Sequence, residues 1–229
     1  MRYERIAEGV FLSRLNRFAA GALVDGREQT VHVKNTGRLR ELLIPGTEAV
    51  LCPADDPGRK TAYDLIAVRH DGRYVNIDSQ APNTAAAELM ERLYPGCALR
   101  RERVFGSSRF DLYLERGDLR LFTEVKGVTL VRDGTALFPD APTARGRKHL
   151  LELMEARRAG YAASVLFLVQ RDDCLRFSPN RETDPAFADA LAEAAASGVE
   201  ILCYDCEVSA DSMSARSPVP VILNRTSED

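Results

Sequence analysis

The sequence predicts an α/β protein with a mixed sheet and flanking helices, preceded by a small all-β domain. Three observations predict this. Residues up to about 80 are short apolar runs split by Gly, Pro, Asp and Asn, the pattern of a small barrel or sandwich. From residue 81 onward, helical and strand patterns alternate. The 229 residues, 45% hydrophobic and 28% charged, suffice for a core without disulfides or metal. We therefore divide the chain at residues 1–80 and 81–229.

The elements follow in order. Strands are expected around Gly9–Leu12, Gly21–Val24, Thr30–Val33, Ala49–Cys52 and Tyr74–Ile77, with a helical turn between Thr36 and Leu43. Thr84–Tyr94 has helical spacing and stops at Pro95-Gly96. Three strands are expected at Ala98–Phe105, Ser108–Glu115 and Leu119–Val128, then a loop through Phe138-Pro139-Asp140-Ala141-Pro142. Thr143 is placed to cap a helix that runs to about Arg158. Ala163–Val169 is continuously apolar, as in a strand buried on both faces. Asp184–Ser197 reads as a helix and Val199–Tyr204 as a last strand.

Composition excludes several classes. No apolar run approaches the roughly 20 residues of a membrane helix. Met1 to Glu8 is charged, so no secretory signal is expected, and five scattered cysteines read as reduced thiols in a cytoplasm. No phosphate-binding glycine motif occurs, so a nucleotide cofactor is not expected. The net charge of −3 is unevenly spread. Asp172 to the end holds 4 basic and 12 acidic residues, leaving 27 basic and 22 acidic before it. A polyanion partner therefore remains compatible with local basic surface.

The chemistry-bearing stretch is Ser108 to Lys126. Glu124 and Lys126 lie two apart on one strand and share a face. Gly117-Asp118 fits a two-residue type II′ turn, a register that pairs Arg116 with Leu119 and Asp111 with Glu124. Opposed carboxylates repel unless a cation lies between them. Hard oxygen ligands suit Mg²⁺ or Mn²⁺, and a neighbouring lysine can help activate water. Metal-assisted phosphodiester hydrolysis is the chemistry implied; a structural ion pair plus an edge acid is the alternative.

The element order and the Asp…Glu-x-Lys signature resemble the PD-(D/E)xK nuclease core, with Phe110 where that family often has Pro. The resemblance implies Asp111, Glu124 and Lys126 as catalytic residues, and Asp111, Glu124 and the Val125 carbonyl as metal ligands. It also implies an added acid, with Glu88 the candidate and Glu102 the runner-up. Longer blocks resemble the sugar fermentation stimulation protein A family: Phe11 to Phe18, His32 to Arg38, Glu41 to Gly46, Ser108 to Asp111, Glu124 to Lys126, and Phe138 to Leu150. This resemblance implies an OB-like N-terminal barrel, a nuclease-like second domain and a DNA-binding role. It leaves open a non-catalytic, DNA-binding regulator of sugar metabolism.

Basic residues complete the expectation. Arg145 and Lys148, with His149 and Glu152, share one face near a helix N-terminus, fitting either a phosphate contact or a solvated Lys148–Glu152 pair. The first 46 residues carry 8 basic and 5 acidic groups. Arg14, Asn16, Arg17, Lys34, Asn35, Arg38 and Arg109 join Arg145 and Lys148 as nucleic-acid-binding candidates. Phe11 and Phe18 are either stacking platforms or core. Asn35 suits a side-chain-closed turn as well as a phosphate contact. Cys203-Tyr-Asp-Cys206 is half a zinc site at most and reads as buried structure.

Overall fold

The computed structural model describes residues 1–35, 37–56 and 58–223. Its first part is a closed barrel. Strands β1 (Ala7–Arg14), β2 (Ala19–Val24), β3 (Arg27–Val33), β4 (Glu48–Pro53) and β5 (Tyr63–His70) run in the order β3-β2-β1-β4-β5, and β3 closes the ring on β5. β6 (Arg73–Asn76) extends the edge. Period-two alternation sends Phe11, Val31, Val33, Leu51 and Leu65 inward. The stretch expected as a helical turn winds instead about Leu39, whose φ of +47° breaks right-handed helix. β5 was not expected from the sequence.

One end of the barrel holds a charge network. Asp64 is buried and bonded to His32 Nδ1 (2.9 Å), Lys34 Nζ (3.1 Å) and Arg59 Nη2 (2.6 Å). Burial pushes its carboxyl up, but the bonds from Arg59, His32 and Lys34 outweigh that and hold it at about 2. A carboxyl depressed in the folded state stabilises most above its unfolded value and loses this as pH falls toward 2. Melts between pH 5 and 2 are expected to show about 2 kcal/mol of such loss. Asp64→Asn should flatten that dependence.

The second part is a six-stranded mixed sheet in the order β15-β14-β12-β9-β8-β7. These strands are β7 (Ala98–Phe105), β8 (Ser108–Arg116), β9 (Leu119–Val128), β12 (Ala162–Val169), β14 (Glu200–Val208) and β15 (Met213–Pro218). β12 is parallel to both β9 and β14, and the edge pairs are antiparallel. Helix α1 (Ala81–Leu93) covers one face, over Leu112, Leu121, Val125 and Leu166. Helices α2 (Ala144–Arg158) and α3 (Pro185–Ala196) cover the other, over Phe110, Phe122, Val165 and Phe167. A small sheet of β10 (Val131–Arg132), β11 (Thr135–Phe138) and β13 (Arg176–Pro179) replaces part of the expected loop. Cys203 and Cys206 are three apart on β14 and enter opposite cores, so they do not form a shared site.

Helix α2 starts where its cap residue dictates. Thr143 Oγ1 accepts the Gly146 N–H at 3.0 Å, and the Thr143 N–H donates to Asp184, the residue that caps α3. Thr143→Ala is expected to destabilise the chain by about 1 kcal/mol, read as a lowered Tm. Among the described residues no helix is long and apolar enough to cross a membrane.

Candidate metal and nucleic-acid site

The β8–β9 hairpin turns at Gly117, whose φ of +57° is what a II′ turn demands of its first central residue. The register runs from Arg116↔Leu119 to Leu112↔Thr123. There the ladder stops. β8 continues beside β7 and β9 beside β12, so the strands part at the row of Asp111 and Glu124. Asp111 Oδ2 fills the gap, accepting the Val125 N–H at 2.8 Å. Its Oδ1 accepts from Asn83 Nδ2 of α1 at 3.0 Å.

Glu124 turns the other way, toward α2. It is 3% exposed, and its Oε1 is bonded by both Lys126 Nζ and His149 Nδ1. Its Oε2 is buried and has no partner. Burial raises the Asp111 carboxyl and the Glu124 charge raises it further, so the two acids sense each other across the split. For Glu124 burial also pushes upward, but bonds from His149 and Lys126 outweigh it and hold the group ionised. Two carboxylates in mutual repulsion, one with an orphaned buried oxygen, fit a hard divalent cation. Among the described residues no third His, Cys, Asp or Glu completes a group able to hold a metal.

The expected added ligand, Glu88, and its runner-up, Glu102, lie elsewhere. Glu88 lies on an exposed part of α1 and pairs with the Met1 amino group at 2.8 Å, beside β15 at the far edge of the sheet. Asn83, five residues earlier, is the α1 residue that reaches Asp111; five residues rotate the side chain well around the helix. Glu102 lies on the β7 row opposite Asp111, with φ +57°, but is exposed and faces Arg109 at 3.5 Å.

The basic residues separate similarly. Lys34 likewise lies elsewhere: Asp64 and Asp78 (3.5 Å) neutralise it at the barrel end. Asn35 closes its turn, accepting the Gly37 N–H and donating to the Ile77 carbonyl. Asn16 shapes the β1–β2 loop, accepting the Phe18 N–H. Arg14, Arg17 and Arg38 line one cleft. Phe11 is core, whereas Phe18 is exposed. Arg145 Nε points at His149 Nε2 (3.5 Å), while Lys148 leans on the Ser107 carbonyl and Glu152. Sequence reasoning missed Asn83, which carries no local signal, and the run Arg100, Arg101 and Arg103 along edge strand β7, which does.

Comparison with known proteins follows the same division. Residues 12–77 match the family model of the SfsA N-terminal OB domain, and residues 80–212 match that of the sugar fermentation stimulation protein RE domain. The chain is 53% identical over 225 residues to a sugar fermentation stimulation protein homolog of Desulfitobacterium hafniense (strain Y51), covering 97% of this chain and 99% of that one. A homolog from Alkaliphilus oremlandii is 48% identical over 221 residues, with coverage of 92% and 94%. The solved structure of Pyrococcus furiosus SfsA in complex with Ca²⁺ is similar with a TM-score of 0.86 and 31% identity, covering 97% and 98% of the two chains.

Proposed function

The chain belongs to the sugar fermentation stimulation protein family, and on that premise we propose that it binds nucleic acid, most simply DNA, and hydrolyses phosphodiesters at Asp111, Glu124 and Lys126 with Mg²⁺ or Mn²⁺. The observation that carries this reading is the orphaned Glu124 Oε2, on a carboxylate whose charge raises the Asp111 carboxyl across the split. Asp111, Glu124 and the Val125 carbonyl would hold the ion. When bound, it supplies polarisation of the phosphodiester and acidification of a water molecule. The P. furiosus relative was solved with Ca²⁺, a hard cation of the same ligand preference.

The remaining steps belong to the chain's own groups. Asn83 and the Val125 N–H orient Asp111 from two sides, and His149 orients Glu124. The Lys126 ammonium, anchored on Glu124, offsets negative charge that builds on phosphorus. Arg145 and Lys148, exposed on the first turns of α2, meet phosphates flanking the scissile one. A second reading, DNA binding without cleavage, draws support from the two-acid site, which lacks a third ligand among the described residues.

Incubation with single- and double-stranded DNA and RNA plus Mn²⁺ separates the two. Cleavage by the wild-type chain that disappears in Lys126→Ala supports the nuclease reading. Cleavage that persists unchanged in Lys126→Ala and Asp111→Ala is contamination and removes it.

A further inference from the structure

We propose that the arginine cleft of the β-barrel holds a backbone phosphate of single-stranded nucleic acid while an unstacked base lies on Phe18. The proposal deepens the nucleic-acid reading above and rests on it. The cleft measures about 410 Å³ and collects the guanidinium groups of Arg14, Arg17, Arg38 and Arg40. Among the described residues none of the four has a carboxylate within ion-pair distance, whereas Lys34 and Arg59 of the same barrel are both paired to Asp64. Four guanidinium groups against one nearby carboxylate, Asp140, which bonds the Arg38 backbone N–H and no guanidinium, leave positive charge for an anion, and guanidinium forks match phosphate geometry.

The cleft is preorganised. Arg14 is held by three backbone carbonyls, Asn16 (2.8 Å), Arg17 (2.6 Å) and Asn35 (3.0 Å), and its Nη1 has no partner. The β1–β2 loop that carries Phe18 is equally fixed. The Phe18 N–H donates to Asn16 Oδ1, and its carbonyl accepts the Val33 N–H, both at 2.8 Å. The ring itself is 52% exposed, with the Arg17 guanidinium 5.5 Å from its centre. A rigid, exposed aromatic beside a phosphate site is a stacking platform. Bases within a duplex already stack on their neighbours, so only a single strand can use this one.

The cleft also communicates with the second domain. Asp140 Oδ2 accepts the Arg38 N–H at 3.3 Å, and a Cβ on Gly37 would lie 2.5 Å from that oxygen, so glycine is what lets this loop dock. Three residues later Thr143 starts α2, which carries Arg145 and His149 toward Glu124. A strand seated in the cleft is thus directed along the loop that leads to the carboxylates.

The test uses the full chain in EDTA, where cleavage plays no part. Anisotropy of a fluorescein-labelled oligo-dT is titrated across a salt series for wild type, Phe18→Ala and Arg38→Ala/Arg40→Ala; all three side chains are exposed, and melts check folding. Both variants are expected to weaken binding at least about tenfold. The double variant should flatten the log–log salt slope by about 1.4, and Phe18→Ala should leave it unchanged. Blunt duplex affinity should be indifferent to Phe18→Ala. Single-strand affinity that ignores both variants, duplex binding that depends equally on Phe18, or displacement by dTMP or polyglutamate as readily as by oligo-dT would each overturn the proposal. Wild type that binds this way but cleaves nothing in Mn²⁺ fails the nuclease reading alone. Cleavage with binding indifferent to these residues fails the cleft alone.

Discussion

Asp111→Asn is expected to lower Mn²⁺-dependent cleavage at least about 10³-fold while leaving the metal-free chain as stable as wild type or more so. The activity loss follows from removing one of two charged oxygen ligands in a site with no third acid to compensate among the described residues. The stability result follows from the sign of the Asp111 shift. Burial and the Glu124 charge raise its carboxyl, so the ionised form opposes folding at neutral pH. Asparagine keeps an oxygen for the Val125 N–H, offers its N–H₂ to Asn83 once that amide turns its oxygen inward, and removes the repulsion. Initial rates in Mn²⁺ and a metal-free melt check the two halves. A melt that falls sharply with the rate would make Asp111 a structural residue.

Gln170→Leu is expected to destabilise the chain by about 2 kcal/mol, read as a lower denaturant midpoint at unchanged slope. Gln170 is 1% exposed and ties the two parts together. The two hydrogens of its Nε2 are shared among the Asn76 carbonyl (3.1 Å), Asn76 Oδ1 (2.9 Å) and the Asp78 carbonyl (3.1 Å). Leucine takes the side-chain donor from the buried Asn76 carbonyl, while Asn76 Oδ1 keeps the Asp78 N–H (3.0 Å) and the Asp78 carbonyl keeps the Ala81 N–H (3.3 Å). Space is tight as well, since a Cβ on Gly127 would lie 2.5 Å from Gln170 Oε1 and 2.8 Å from Pro82 Cγ. A midpoint within experimental error of wild type would show that solvent takes over these bonds.

Much of the fold was legible in local signals. Thr143, Asp184 and Gly117 specify their caps and turn through bonds or backbone angles a few residues long. Helices α2 and α3 therefore lie within a residue or so of expectation, and the hairpin register holds as counted to Leu112↔Thr123. β5 escaped notice because it follows an Asp- and Pro-containing turn stretch, and β15 because Met213–Pro218 is an edge strand with little apolar pattern.

The sequence by itself determined the Gly117 turn, the hairpin register as far as Leu112↔Thr123 and the two-part division, since these rest on neighbours along the chain. Tertiary structure alone decided that the strands part at the row of Asp111 and Glu124, that Asn83 rather than Glu88 meets Asp111, that Lys34 is neutralised and that four arginines share one cleft. Those outcomes depend on contacts between segments tens of residues apart, whose geometry is set by how helices and loops pack on a sheet, and no periodicity along the chain encodes that.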